Sequence, residues 1–166
     1  MPPSVAADPD PAIAFDLPTS AVAAVQSDIV SHFALFRAAP SPIPWDIAAG
    51  IASSSRFGRN AALARAIRTP YGKGWVIPGD GYLCITMPDP VDGYGESCQP
   101  TSVVLHRGLW LRLAGDGPNA QAADVLLIPD GATATKAARG TSMDAETGVV
   151  SHLGIVSDPP PTVAAG

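Results

Sequence analysis

The chain is poor in charged residues and in long apolar runs, and each shortage excludes or disfavours particular classes of protein. Charged residues make up 15% of the 166 residues, well below the roughly 25% of typical soluble domains, which weakens the case for a heavily solvated cytosolic protein. Ten basic residues face fifteen acidic ones, for a net charge of −5, so non-specific binding to nucleic acid is not expected. Asp28, His32 and Arg37 interrupt the apolar intervals, which excludes the ~20-residue apolar helix that crosses a membrane.

Motifs of common enzyme classes are also missing. The sequence has no GxSxG elbow, no P-loop, no GxGxxG after a strand pattern and no HExxH. Its three histidines, His32, His106 and His152, are scattered, and each is more typical of a structural or surface residue. A hydrolase built on Ser102 or Ser142 stays an alternative, and no cofactor is expected.

Cysteine is scarce, since Cys84 and Cys98 are the only two. A disulfide that closes a loop of about 15 residues contributes ~3 kcal/mol, and an isolated pair at this spacing is typical of an oxidising compartment. Two inert thiols, or a reactive Cys84 with a base such as His106, are the alternatives. Zinc is disfavoured because neither CxxC nor HxxxH is present.

A β-hairpin is predicted immediately around the first cysteine. Two apolar runs, Trp75–Ile77 and Tyr82–Met87, flank the tetrapeptide Pro78–Gly81. Proline fixes φ and the glycines tolerate positive φ, so this tetrapeptide favours a tight reversal.

The segment between the two cysteines is rich in proline and glycine and is predicted to be a loop that a crosslink orders. It also contains three acids, Asp89, Asp92 and Glu96, which are candidate oxygen ligands for Ca²⁺. Their spacing does not match an EF-hand, and solvated turn acids are the simpler explanation.

The N-terminal third is expected to be helical and linker-like. Residues 1–18 are rich in Pro, Ala and Asp and predict a disordered arm. Residues 19–37 predict a helix capped by Ser20, because apolar residues recur at three- and four-residue intervals: Val22, Val25, Ile29, Phe33 and Phe36. This stripe is expected to pack on its own domain. Residues 38–56, rich in Pro and Ser, predict a linker that Trp45 and Ile47 pin to the body.

A short second helix with a basic face is predicted next. Asn60 is a favourable N-cap ahead of AALARAIR, and the helix is expected to end before Thr69-Pro70. Half of the positive charges lie here: Arg56, Arg59, Arg65, Arg68 and Lys73. They form a candidate surface for an anion or an acidic partner, with an ordinary solvated face as the alternative.

The second half of the chain predicts short strands between Gly/Pro turns. They cover Ser102–Leu105, Leu109–Leu113, Asp124–Ile128, Gly148–Val150 and Leu153–Val156. Residues 57–157 are therefore expected to form a short helix plus a β-rich domain, and residues 158–166 a disordered tail. The predicted fold class is α+β, with N-terminal helices packed on a small antiparallel β-sheet, sandwich or partial barrel.

One succession of segments resembles a group of uncharacterised actinobacterial proteins, over about residues 33–136. The segments are FALFR (33–37), NAALARAI (60–67), TPYGKGWVIPGDGYLC (69–84), a second cysteine about a dozen residues on, and LLIPDGA (126–132). Many members are exported or membrane-anchored, and none carries a known activity. The resemblance thus implies an extracytoplasmic location and transfers no catalytic residue. Residues 1–18 show neither the basic start nor the apolar stretch of a signal peptide, so a cytoplasmic location stays open.

Taken together, the sequence predicts a non-enzymatic, disulfide-stabilised binding or structural module of the cell envelope, with a protein or envelope partner of unknown identity. One alternative is a small hydrolase or thiol enzyme that uses Cys84 or a histidine. Another is a cytosolic interaction protein that uses the basic face from Arg56 to Lys73.

Overall fold

Two four-stranded antiparallel sheets make up most of the fold in the computed structural model, which describes residues 31–54, 56–91, 93–135 and 140–164. The first sheet contains β1 (Arg65–Thr69), β2 (Gly72–Pro78), β3 (Tyr82–Asp89) and β4 (Gly93–Pro100) in chain order. The second contains β5 (Leu109–Ala114), β6 (Gln121–Leu127), β7 (Thr141–Asp144) and β8 (Val149–Ile155) in the order β5-β6-β8-β7. Two α-helices, α1 (Trp45–Ala52) and α2 (Thr101–Arg107), and 3-10 turns at Ala34–Arg37, Arg56–Gly58 and Ala61–Leu63 complete the described elements.

The two sheets share one apolar core. Alternate residues of both sheets enter it, from Val76, Leu83, Ile85 and Met87 on the first to Leu109, Leu111, Val125 and Leu127 on the second. The α+β class and the antiparallel pairing are thereby confirmed. The helices are not clearly N-terminal: α1 precedes the first sheet and packs on it, whereas α2 lies between the two sheets in the chain. No barrel closes among the described strands.

The hairpin predicted around Pro78–Gly81 is confirmed. Strands β2 and β3 pair in antiparallel register, with Trp75 opposite Thr86 and Pro78 opposite Leu83. The loop expected between the cysteines is instead a second hairpin, because β3 extends to Asp89 and β4 pairs along its whole length. Strand β4 contains two glycines and ends at a proline, so it has little β propensity of its own, and its pairing with the buried β3 supplies the missing stabilisation.

The first described residues bear on the helix predicted over residues 19–37. Ser31 and His32 are helical, but Phe33 is extended and a 3-10 turn follows to Arg37, so the helix ends earlier than predicted. Phe33 and Phe36 are buried in the shared core, as expected of the apolar stripe. The arm 1–18 and the stripe residues Val22, Val25 and Ile29 lie outside the described residues.

The segment expected to be a linker contains a helix. Helix α1 runs from Trp45 to Ala52 and buries Ile47 and Ile51 against the outer side of the first sheet. Ile47 therefore pins the segment as predicted, whereas Trp45 is 82% exposed and does not.

The cap predicted at Asn60 is confirmed, but the helix after it is a single 3-10 turn. The Asn60 side chain accepts a hydrogen bond from the Ala62 N–H at 3.0 Å. From Arg65 onward the chain forms β1, because pairing with β2 and burial of Ile67 outweigh the helix propensity of this alanine-rich stretch.

In the second half, the strands predicted at Leu109–Leu113 and Asp124–Ile128 correspond to β5 and β6, although β6 ends at Leu127. Ser102–Leu105, by contrast, belongs to α2. Gly108, with φ of 74°, ends that helix. The two short strands expected at residues 148–156 are one strand, β8, and β7 lies outside the strands that were predicted.

Residues 158–164, expected to be part of a disordered tail, pack along the second sheet. Pro161 is buried, and Val163 pairs with Ala134 in a β-bridge. Within the described part of the chain, no helix has the length and apolarity needed to cross a membrane.

Candidate functional site

A row of polar residues crosses the outer face of the second sheet. Arg112 on β5 is opposite Asp124 on β6, Asp124 is opposite His152 on β8, and His152 is opposite Thr141 on β7. The row spans all four strands at one level. Because side chains alternate between the faces of a strand, it lies on the side away from the shared core, whose members on β6 include Ala123 and Val125.

Asp124 is the centre of this row and is fully buried. Its Oδ1 accepts hydrogen bonds from Arg112 Nε at 2.8 Å and Trp110 Nε1 at 3.0 Å. Its Oδ2 accepts from Arg112 Nη2 at 2.9 Å and is 3.0 Å from His152 Nδ1. The four contacts match the four acceptor positions of an ionised carboxylate, and the two-pronged Arg112 contact is the strongest geometry for such a pair.

Opposing effects set the pKa of Asp124. Burial alone would raise the pKa, but the hydrogen bonds from Arg112, His152 and Trp110, together with the charge of Arg112, outweigh burial and lower it below its ordinary value. The hydrogen bond to Asp124 also raises the pKa of Arg112. The network therefore holds a carboxylate–guanidinium pair in its charged form.

The C-terminal segment covers this network. Arg112 Nη1 donates to the Val156 carbonyl at 3.2 Å, and Nη2 to the Asp158 carbonyl at 2.9 Å. The Asp158 carboxylate accepts from the Ile155 N–H at 3.0 Å and lies 3.6 Å from His152 Nε2. The same guanidinium thus neutralises Asp124 and attaches the segment after β8 to the sheet.

The Asp124–His152 pair is two-thirds of a hydrolytic triad, but no hydroxyl completes it among the described residues. His152 is fully buried, and its Nε2, the atom that would activate a hydroxyl, faces Asp158 and has no hydrogen-bond partner in the described structure. Ser142 is adjacent to the row but points to the opposite face of β7. Ser102 lies in α2, so neither serine that the sequence suggested joins this histidine.

A cleft opens beside the network, between α2 and the C-terminal segment. Its volume is about 460 Å³, within the range of small-ligand sites. The walls are largely apolar, and the polar side chains of His106 and Arg107 come from α2. The lining residues are Gln99, Val103, His106, Arg107, Gly108, Trp110, Leu126 and residues 160–163. None of the lining residues is acidic, so Arg107 favours an anionic group in the cleft.

Trp110 is the fixed element of this cleft. Its side chain is 41% exposed, yet its indole N–H is already bound to Asp124. The ring is therefore held in one orientation before a ligand arrives, which lowers the entropic cost of stacking against it.

Cys84 and Cys98 form a disulfide, 14 residues apart in sequence and directly opposite each other on β3 and β4. Cys84 is fully buried. Glu96 lies close to both sulfur atoms, but sulfurs bonded to each other do not offer thiolate ligands to a metal.

The acids suggested as calcium ligands are not brought together where the structure describes them. Glu96 makes a two-pronged salt bridge with Arg59 at 2.6 and 2.7 Å. Asp89 lies three register positions away along β3 and accepts from the Val91 N–H at 2.8 Å. The third acid, Asp92, lies outside the described residues.

The five basic residues predicted to form one surface are divided among different environments. Arg65 is buried, where desolvation lowers its pKa, and it donates to the carbonyls of Phe36, Ala38 and Leu63. Arg59 is bound to Glu96 and Arg56 lies over the Phe57 ring. Only Arg68 and Lys73 share an exposed site, directly opposite each other on β1 and β2.

Comparisons of the chain with protein-family models, with curated proteins and with solved structures found no match.

Sequence reasoning missed the buried network. Its members come from strands that were predicted separately, and β6 pairs directly with β8 although β7 lies between them in the chain. A local signal exists only for Asp124, an acid within the apolar run DVLLI, where a buried charge requires a partner.

Proposed function

We propose that this protein is a non-enzymatic, disulfide-stabilised binding module that works outside the cytoplasm, in the cell envelope. The observation that carries the proposal is the Cys84–Cys98 disulfide. Disulfides persist where the surroundings are oxidising and are rare in the cytosol. The resemblance to exported actinobacterial proteins supports the same location.

The disulfide also argues against the thiol-enzyme alternative. A thiolate is the nucleophile in such enzymes, and both cysteines of the chain are used in the crosslink. The hydrolase alternative is weakened because His152 is buried with its Nε2 facing a carboxylate rather than a hydroxyl.

The cleft beside Trp110 is the proposed binding site. Apolar walls and an exposed indole suit a flat or aliphatic body, and Arg107 suits a carboxylate attached to it. The proposed ligand class is therefore small molecules with an apolar body and one anionic group.

Two measurements test the proposal. The first is the intact mass of protein purified without reductant from an oxidising compartment, before and after alkylation in denaturant. A mass two hydrogens below that of the reduced chain, with no alkylation until reductant is added, supports an exported scaffold. Two thiols that alkylate at once would contradict it.

The second measurement is an NMR titration with an aromatic carboxylate and with the matching uncharged amide. We expect the carboxylate to shift the indole resonance of Trp110 and to bind at least tenfold tighter than the amide. Arg107→Gln should remove this preference, whereas Arg56→Gln, which changes an exposed arginine outside the cleft, should keep it. Equal binding of carboxylate and amide would refute the proposed ligand class.

A further inference from the structure

We propose that the outer edge of β1 binds an acidic peptide in extended conformation, as an added strand of the first sheet. The proposal concerns a different surface from the cleft beside Trp110 and does not depend on that cleft. It rests on three observations: the direction of the backbone groups of β1, an unpaired couple of cations, and the groove that they line.

The first observation is that β1 is an edge strand with backbone groups directed outward. It pairs only with β2. The Ser41 N–H donates to the Ala64 carbonyl at 2.8 Å, and the Ala66 N–H donates to Ser41 Oγ at 3.1 Å. Ala64 and Ala66 therefore direct their backbone groups away from β2.

By the two-residue alternation of an antiparallel ladder, Arg68 directs its N–H and C=O outward as well. Ser41 covers the strand only as far as Ala66. No residue in the described ranges bonds to the outward groups of Arg68. The second half of β1 thus offers a donor and an acceptor to an incoming strand, as in other cases of strand addition.

The second observation is the pair of positive charges on this hairpin. Arg68 and Lys73 are directly opposite each other on β1 and β2, and both are exposed. Like charges in directly opposite positions destabilise a sheet. Neither forms a salt bridge with any carboxylate of the described residues, and Lys73 Nζ lies 5.9 Å from the centre of the Trp75 ring.

The third observation is a groove of about 620 Å³ along this edge. Residues 66–69, Gly72 and Lys73 line one side, and Asp144 at the end of β7 and Thr147 in the following turn line the other. Asp144 is the one acid among these lining residues, and its Oδ1 accepts a hydrogen bond from the Glu146 N–H at 3.0 Å within its own turn. The four β1 residues that line it, 66–69, span about 13 Å at ~3.3 Å per residue, which is the length of edge available to an added strand.

These observations together determine the chemistry of the occupant. An added strand requires main-chain hydrogen bonds, and its side chains point alternately to the two faces. Carboxylates at every second position would therefore lie on the face that carries Arg68 and Lys73. The partner is an acidic segment in which Asp or Glu alternates with β-branched residues.

The test uses the isotope-labelled protein and the peptide acetyl-Glu-Val-Glu-Val-Glu-amide in an NMR titration. We expect saturable shifts at residues 66–69 and 144–147, and none for the matched peptide with lysine in place of glutamate. Arg68→Glu should weaken binding at least tenfold. Arg56→Glu makes the same change of charge at an exposed position outside the groove and should leave binding unchanged.

A second peptide, N-methylated at the residues that would bond to β1, separates strand addition from simple charge attraction. Loss of binding on methylation supports the proposal, and equal binding would overturn it. Displacement of the peptide by equimolar inorganic phosphate would reduce the site to an anion site and also overturn it. The proposal would also be overturned if no peptide bound and the Arg68→Ser/Lys73→Ser variant dimerised. In that case the two cations would serve to prevent β1 from pairing with the β1 edge of another copy.

Discussion

Asp124 and His152 face each other across β6 and β8, with 3.0 Å between Oδ2 and Nδ1 and with neither side chain accessible to solvent. A buried carboxylate is costly unless its charge and its hydrogen-bonding capacity are both satisfied. Here Arg112 supplies the charge, and Trp110 and His152 complete the hydrogen bonds. Because Asp124 is held by residues of neighbouring strands and also binds the Trp110 indole N–H, the second sheet fixes the position of the indole in the cleft.

Replacing Asp124 by Asn is expected to destabilise the protein by about 3 kcal/mol, since it leaves the partly buried Arg112 without its counter-charge. Urea unfolding followed by circular dichroism measures the change. Asp80→Asn is the control, because Asp80 is exposed, and it should change stability by less than about 0.5 kcal/mol. Equal effects of the two substitutions would contradict the proposed role of the network.

The stability of the protein is expected to fall in acid, in part through Asp124. The fold lowers the pKa of this carboxyl, so its contribution is present above the ordinary aspartate pKa of about 4 and is lost as the pH falls through the folded value. Unfolding free energies measured between pH 7 and pH 2 should therefore decline below about pH 4. The Asp124→Asn variant should show a shallower decline, and an unchanged slope would assign the acid sensitivity to other carboxyls.

Gly154 is expected to tolerate no side chain. A Cβ at this position would meet the Asp158 carboxylate and would lie 2.7 and 2.8 Å from ring atoms of His152. Gly154→Ala should therefore displace Asp158 and cost about 1–3 kcal/mol, measured by thermal unfolding. Faster hydrogen exchange of the Asp158 amide in this variant would show that the substitution perturbs the C-terminal segment.

Gly50→Ala is the matched control for this substitution. Gly50 lies in α1, and an added Cβ would meet nothing within 4 Å. Because alanine favours helix more than glycine does, this variant should be more stable by about 0.5–1 kcal/mol. Destabilisation by both substitutions would mean that the effect at position 154 is not specific to the contact with Asp158.

Removal of the disulfide is expected to cost about 3 kcal/mol, the value for a closed loop of this length. The double variant Cys84→Ala/Cys98→Ala should show this loss in urea unfolding, and wild type in reductant should show a similar one. Wild type without reductant is the reference. A loss below about 1 kcal/mol in both cases would mean that pairing of β3 with β4 does not need the crosslink.

Much of the fold was predictable where local chemistry is decisive. The Pro78–Gly81 turn and the alternation of Leu109 and Leu111 each specify their structure within a few residues. The stretch TSVVLHR was misassigned because its two valines favour a strand, whereas Pro100 and Gly108 delimit the helix α2. At β1 the error was the opposite one, since good helix formers are held in a strand by their pairing with β2.

The candidate sites were less predictable than the fold. Each candidate site depends on the order of the strands in its sheet or on how the two sheets pack. Local sequence therefore does not predict that Arg112 lies near His152, or Arg68 near Asp144. The cysteine pair is the exception, because two isolated cysteines leave one intramolecular partner each.

The polar row across the second sheet also determines how its strands align during folding. If β6 slipped by one residue against its neighbours, Asp124 would turn toward the shared apolar core and Val125 would leave it. Such a state would bury an unpaired carboxylate, at a cost of several kcal/mol. The row therefore excludes the misaligned sheets that an apolar pattern as uniform as AADVLLI would otherwise allow, and it makes one alignment of these strands far more stable than its neighbours.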